Sequence, residues 1–162
     1  MSRMIGMISK RHNLAEFKKL NKVRQKTQQS IRQAWFGLGK NLEKEAKKEI
    51  KRTPKSGRTY FIRTKSGRFR RHVASAPGET HANLTGKLRR SVSWKVHGYA
   101  RMEFGYGVAV IGANAAPEYD IFVEDGTNKM GARPSIENAV KKIKRTTSQH
   151  FEKAMLKEFQ RS

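Results

Sequence analysis

Cysteine is absent from the sequence, and this one absence excludes several kinds of chemistry. Disulfide bridges, thiolate nucleophiles and zinc sites with cysteine ligands cannot form. The five histidines are scattered along the chain, at positions 12, 72, 81, 97 and 150. Because these positions do not follow the spacing of metal ligands, we predict no metal and no other cofactor.

Long apolar runs and enzyme motifs are also missing. The apolar start of the chain, residues 1–8, is far shorter than the roughly 20 residues that span a bilayer. There is no Walker loop, no G-x-S-x-G motif and no glycine-rich turn between a strand and a helix. We therefore expect a protein that is made in the cytoplasm, is not inserted in a membrane and is not an enzyme.

Acidic residues are few compared with basic ones. There are 13 Asp and Glu against 36 Lys and Arg, which leaves a formal net charge of +23. A monomer with this charge repels itself, so we expect the charge to be balanced by a polyanion, by an acidic protein surface or by assembly. The charge alone does not choose among these three.

The N-terminal third of the chain is predicted to be one long helix. After a flexible start, residues 1–13, apolar residues at spacings of three and four predict a helix over residues 14–52. At about 1.5 Å per residue this helix would be roughly 60 Å long, so part of it must extend beyond a single core. We expect a bend or a break at Gly37 and Gly39.

Residues 56–125 are predicted to form an antiparallel sheet with a loop at residues 74–86. The tetrad Lys-Ser-Gly-Arg occurs twice, and each copy precedes aromatic and β-branched residues, which predicts a basic hairpin over residues 58–72. Alternating apolar residues predict two further strands, at residues 88–96 and 102–111.

The C-terminal part is predicted to be helical. After a short apolar run at residues 119–124, Pro134 and the spacing of the apolar residues predict a helix over residues 134–160. Helix, strands and helix in this order predict one α+β domain, residues 1–162. It has a long N-terminal helix, a central antiparallel β-sheet with a basic hairpin, and a C-terminal helix packed on the sheet.

Two groups of charged residues suggest chemistry, and each also has a purely structural interpretation. Asp120, Glu124 and Asp125 could be magnesium ligands of a nuclease, but on a strand they would face different ways, and we favour a structural role. The hairpin alternates cations with aromatic residues, as a groove for nucleic acid does. Its alternative interpretation is a solvated basic face with the aromatic residues in the core.

Three motifs occur in a fixed order along the chain. They are ASAPGE at residues 74–79 followed by TGKLRRSV at 85–92, then YDIFVEDGT at 119–127, then Arg133 and Pro134. Together they resemble the tail-component family of long-tailed phages and prophages. These are tail-completion or neck proteins, to which the tail protein Z of phage lambda is a distant analogue.

The resemblance implies a structural protein of the virion, made in the host cytoplasm. It implies a homo-oligomeric ring of six or twelve subunits at the head-proximal end of the tail, which helps to join the tail to the head connector. The implied partners are adjacent tail-terminator, tail-tube or head-connector proteins, with non-specific contact to packaged DNA. The alternative function is a sequence-independent nucleic-acid-binding module that uses the hairpin.

The motif residues are expected to be structural: Thr85, Gly86 and Leu88 where the loop becomes a strand, Tyr119, Glu124, Gly126 and Thr127 around a turn, and Arg133 and Pro134 at the start of a helix. We expect Arg133 to pair with Glu124. The cations expected to face DNA or an acidic partner are Arg58, Arg63, Lys65, Arg68, Arg70 and Arg71, and the sequence leaves this choice open.

Overall fold

A single helix, α1 (Ser2–Arg52), contains 51 of the 162 residues. The computed structural model describes residues 2–52, 55–108 and 120–160. At about 1.5 Å per residue α1 is about 77 Å long. The helix begins at Ser2 and not at residue 14, so the predicted start of the helix is wrong. Residues 2–13 contain no proline and one glycine, so nothing in them stops a helix from extending past Asn13.

The predicted break at Gly37 and Gly39 does not occur, since α1 continues through both glycines. Gly39 instead makes room for a side chain from a strand. A Cβ atom at Gly39 would lie 2.4 Å from Cδ2 of Trp94, whereas one at Gly37 would meet nothing within 4 Å. Trp94 therefore lies directly on the backbone of α1, and its Nε1 donates a hydrogen bond to Oε2 of Glu43 at 2.9 Å.

Within the described residues the strands form two separate antiparallel hairpins, so the predicted sheet over residues 56–125 is divided there in two. The remaining elements are β1 (Thr59–Arg63), β2 (Phe69–Val73), α2 (Lys87–Ser91), β3 (Val92–His97), β4 (Arg101–Tyr106), α3 (Asp120–Asp125), α4 (Ile136–Lys144) and α5 (Thr147–Gln160). The pairs are β1 with β2 and β3 with β4. The α+β fold class, with its long N-terminal helix and with C-terminal helices packed on a sheet, is confirmed.

Three segments differ from the prediction. Two segments predicted as part of the sheet are short helices, and the predicted C-terminal helix is interrupted. Residues 88–91 belong to α2, where Leu88 and Ser91 are buried on one side, three residues apart. Residues 120–125 form α3 and not the end of a strand, and α3 closes with a hydrogen bond from Gly126 N to Phe122 O.

The predicted C-terminal helix, residues 134–160, is interrupted between α4 and α5. At the interruption the hydroxyl groups of Thr146 and Thr147 donate to the carbonyl oxygen of Ile143. These bonds compete with the regular hydrogen bonds of a helix. Of the predicted strand at 102–111, residues 109–111 lie outside the described part.

The core lies between α1, one face of the β3–β4 hairpin, and the two C-terminal helices. Its buried residues are Leu38, Leu42, Ala46 and Ile50 of α1, Val92 of β3, and Ala139 and Ile143 of α4. Helix α5 runs back along α1 towards its N-terminus, with the rings of Trp35 and Phe151 in edge-to-face contact at 4.9 Å. Among the side chains of α1 whose burial is described, from Leu14 onward, the buried ones all lie at or after Ser30.

The N-terminal half of α1 extends beyond this core. Its large apolar residues Leu14, Phe17, Leu20 and Val23 are between 51% and 68% exposed. At about 100° per residue Phe17 and Leu20 fall on the same side of the helix as the buried stripe, and Leu14 and Val23 lie on either side of them. The apolar stripe of α1 therefore continues past the described elements that cover it.

Two glycine substitutions in α1 should have opposite effects on stability. Gly37→Ala should raise the free energy of unfolding by about 0.5–1 kcal/mol, because alanine favours a helix and the site is open. Gly39→Ala should lower it by about 1–3 kcal/mol, because the added methyl group displaces the Trp94 ring. Urea unfolding of both variants tests this, and stabilisation by Gly39→Ala would contradict the close packing of Trp94.

Candidate functional site

The motif segments meet at a cluster of polar side chains, which we call the polar junction: Glu79, His81, Tyr106, Glu124, Arg133 and Ser135. Its centre is the carboxylate of Glu124 on α3. Oε1 accepts hydrogen bonds from the backbone N–H groups of Ile136 (2.7 Å) and Glu137 (3.0 Å), and Oε2 accepts from Ser135 N (3.0 Å). Glu124 thus caps the N-terminus of α4 from a different helix, where its negative charge is also favourable.

Arg133 does not pair with Glu124, so that prediction is wrong. Its Nε and Nη2 both donate to the carbonyl oxygen of Ser75 at 3.2 Å, and its Nη1 donates to Gly131 O at 3.3 Å. The oxygens of Glu124 are already occupied by the backbone of α4 and by the hydroxyl of Tyr106. Arg133 therefore ties the loop of the first motif to the segment before α4.

His81 is the buried histidine of the junction, with 4% of its surface exposed. Its Nδ1 lies 2.7 Å from Ser135 Oγ and 3.3 Å from Tyr106 Oη. The donor and acceptor roles in these two contacts depend on the tautomer of His81, whose Nε2 is buried without a hydrogen-bond partner among the described residues. Burial, with the nearby cation of Lys55 as a second cause, lowers the pKa of His81 from 6.5 to about 4.

Glu79 and Lys55 fasten the base of the basic hairpin to the body. Glu79 accepts hydrogen bonds from Ser56 Oγ and from the backbone N–H groups of Ser56 and Ala76. These bonds, and secondarily the cation of Lys55, hold the pKa of Glu79 below its usual value. Lys55 Nζ donates to the carbonyl and hydroxyl oxygens of Thr80, and burial lowers its pKa.

The other motif residues have backbone roles close to the junction. Gly86 and Gly126 have positive φ angles of 76° and 81°, and a Cβ at Gly126 would lie 2.7 Å from Ala132 N. Thr127 Oγ1 accepts from the backbone N–H groups of Lys129 and Met130, which closes the turn.

Around α2 and α4 the motif residues are equally structural. Thr85 O accepts from Arg90 Nη1 at 3.2 Å, Leu88 is buried, and Pro134 precedes the first turn of α4. Tyr119 lies outside the described residues. The motifs thus lie close together in space. Arg133 and Ser75, for example, are hydrogen-bonded although they are 58 positions apart in the sequence.

The basic hairpin, residues 58–72, is the second candidate surface, and we call it the hairpin arm. All six predicted cations are exposed: Arg58, Arg63, Lys65, Arg68, Arg70 and Arg71. The aromatic residues are exposed too, at 71% for Phe61, 72% for Phe69 and 46% for Tyr60. The interpretation that placed them in the core is wrong, because β1 and β2 pack mainly against each other.

A third basic surface lies on the outer face of α1. Lys44, Lys47, Lys48 and Lys51 line a shallow cavity of about 240 Å³ together with Arg89 of α2. The helical spacing of the four lysines is visible in the sequence, but the contribution of Arg89 depends on how α2 folds back.

The described residues contain no cluster of metal ligands and no membrane-spanning helix, and comparison with known proteins identifies no family. Among these residues no three His, Cys, Asp or Glu side chains come together as metal ligands. No described helix has an apolar stretch able to cross a membrane. Comparison of the chain with family models, with curated proteins and with solved structures finds no match.

Removal of the Glu124 carboxylate should destabilise the fold. Glu124→Ala leaves three backbone N–H groups of α4 without their acceptor, which should lower the free energy of unfolding by about 3 kcal/mol. The control Glu137→Ala, which removes an exposed ion pair with Lys141, should cost less than about 1 kcal/mol. Urea unfolding measures both, and equal losses would argue against capping by Glu124.

The stability of the protein should fall as the pH drops from about 6.5 to 4. In this range unfolded His81 takes up a proton and native His81 does not, so protonation favours the unfolded state. The lowered pKa of native His81 contributes about 3 kcal/mol to the free energy of unfolding at neutral pH. This contribution is lost once the pH has fallen to about 4. Urea unfolding at pH 7, 5.5 and 4.5 should show a smaller pH dependence for His81→Asn than for wild type, and an equal dependence would contradict the role of His81.

Proposed function

We propose that this protein is a non-catalytic structural subunit of a tailed-phage virion, a tail-completion or neck component. It assembles as a ring at the head-proximal end of the tail and helps to join the tail to the head connector. Adjacent tail-terminator, tail-tube or head-connector proteins are its partners. The ordered motifs and their meeting at one polar junction support this proposal.

The observation that carries the proposal is the presence of two unlike extensions on one small body. The N-terminal half of α1 presents Leu14, Phe17 and Leu20 to solvent, and the hairpin arm presents Phe61 and Phe69. Large apolar side chains exposed in clusters typically mark interaction surfaces. A ring is built from head-to-tail contacts, which need two different surfaces on each subunit.

The polar junction fits a structural role better than a catalytic one. The charged and polar groups of Glu124, Arg133 and Ser135 are used in hydrogen bonds that join backbone segments. His81 is kept neutral at neutral pH by burial, beside a serine hydroxyl that is itself fully buried. A substrate would have no access to this serine.

Assembly can be tested by size-exclusion chromatography with light scattering at low and high salt. The wild-type protein should elute as a discrete multimer of six or twelve subunits, because assembly buries the apolar stripe of α1. Electron microscopy of the same fraction should show rings. A monomer at every salt and protein concentration would contradict a self-assembling ring.

Matched variants test whether α1 forms the contact. Phe17→Ser combined with Leu20→Ser removes exposed apolar surface and should shift the protein to smaller species. Gln25→Ser combined with Gln33→Ser changes exposed polar positions of the same helix and should leave the multimer intact. The same loss in both double variants would argue against the apolar stripe as the interface.

A further inference from the structure

The pairing of β1 with β2 gives the hairpin arm two different faces. Phe61 lies directly opposite Arg71, and Arg63 lies opposite Phe69. Residues that are opposite each other, or two apart on one strand, share a face of the sheet. Phe61, Arg63, Phe69 and Arg71 therefore lie together, and we call this surface the phenylalanine face.

The phenylalanine face alternates rings and guanidinium groups. Each phenylalanine has an arginine directly across the pair, and the two phenylalanines are diagonal neighbours, about 7–8 Å apart at the backbone. Ile62 and His72 lie on the other face and are half-buried, whereas Tyr60 and Arg70 of that face are exposed. Both phenylalanines are more than 70% exposed, so the phenylalanine face is open to solvent.

The charge of this region restricts what can bind there. Residues 55–73 contain seven Lys and Arg and no Asp or Glu. A second copy of the hairpin arm, or the outer lysine face of α1 in a neighbouring copy, would be repelled. The occupant must be anionic, and it must also offer apolar surface to the two rings.

Single-stranded nucleic acid meets both conditions. Its phosphates pair with arginine, and its unpaired bases have flat faces that stack on aromatic side chains, whatever the base. A duplex meets only the first condition, because its bases are already stacked inside. Arg58 already lies over the ring of Tyr60, 5.5 Å from its centre, so this arm combines cations and rings within itself.

We propose that the phenylalanine face of the hairpin arm binds single-stranded DNA or RNA without sequence preference. Bases stack on Phe61 and Phe69, and Arg63 and Arg71 hold the flanking phosphates. This activity goes beyond the proposed function, because a neck ring requires no contact with unpaired bases.

Fluorescence anisotropy with labelled 20-nucleotide probes tests the proposal on the full-length protein. The probes are oligo-dT, oligo-rU and a DNA duplex of the same length, at physiological and at higher salt. Oligo-dT or oligo-rU should bind at least about tenfold more tightly than the duplex, because stacking adds to the charge contacts. Comparison of oligo-dT with oligo-rU shows which of the two is preferred.

Variants separate stacking from charge. Phe61→Ala with Phe69→Ala should weaken single-strand binding at least about tenfold and change duplex binding less than about twofold. The control Phe122→Ala removes an exposed phenylalanine from α3 and should change neither. Arg63→Gln with Arg71→Gln should weaken both and reduce the slope of log affinity against log salt by about 1.4 for single strands.

Several results would overturn the proposal. Among them are equal affinity for single strand and duplex, unchanged single-strand binding after loss of both phenylalanines, and no binding at physiological salt. Displacement of oligo-dT by poly-glutamate at equal charge, as well as by unlabelled oligo-dT, would also overturn it and point to an acidic protein partner. Light scattering reports ring assembly separately, so failure of nucleic-acid binding is distinct from failure of the neck proposal.

Discussion

The buried stripe of α1 is the surface on which the rest of the body is assembled. Leu38, Leu42, Ala46 and Ile50 contact the β3–β4 hairpin on one side and the C-terminal helices on the other. A two-stranded hairpin is only marginally stable by itself, so β3 and β4 depend on this helix for a partner. The same dependence explains Gly39, since Trp94 can reach its place on α1 only where no side chain intervenes.

The polar junction holds the segments that have too little apolar surface to pack by themselves. Helix α3 is six residues long, and the loop before α2 is irregular, so both rely on hydrogen bonds for their position. Glu124 supplies the acceptors that the first turn of α4 lacks, and Arg133 supplies donors to a loop carbonyl. Buried polar groups that are paired in this way specify one arrangement of the chain.

The extensions of the molecule contrast with its body. The body buries an apolar core, whereas the N-terminal half of α1 and the hairpin arm expose large apolar residues among many cations. Surfaces that combine apolar area with one sign of charge are suited to a partner that supplies the opposite sign. Both proposals, the neck ring and the binding of single strands, rest on the apolar residues that these two extensions expose.

Local patterns in the sequence determined the elements of the fold and the charge of the surface. Apolar spacing in α1, the repeated Lys-Ser-Gly-Arg tetrad and the turn glycines predicted a long helix, a basic hairpin and an α+β order, because each depends on neighbouring residues alone. The predicted start at residue 14, the break at the two glycines and the strand end at residues 120–125 failed, because local preference there is weak.

The tertiary structure decided which side chains meet. Nothing local distinguishes Glu124 as the cap of α4 from Glu124 as a partner of Arg133, since the cap joins residues 11 to 13 positions apart across a turn. Nor does alternation tell which face of a hairpin is covered, so the exposure of Phe61 and Phe69 followed only from the way the arm stands away from the core. The sequence by itself determined elements and charge, because these are sums over local residues. Contacts and exposure are set by packing between distant segments.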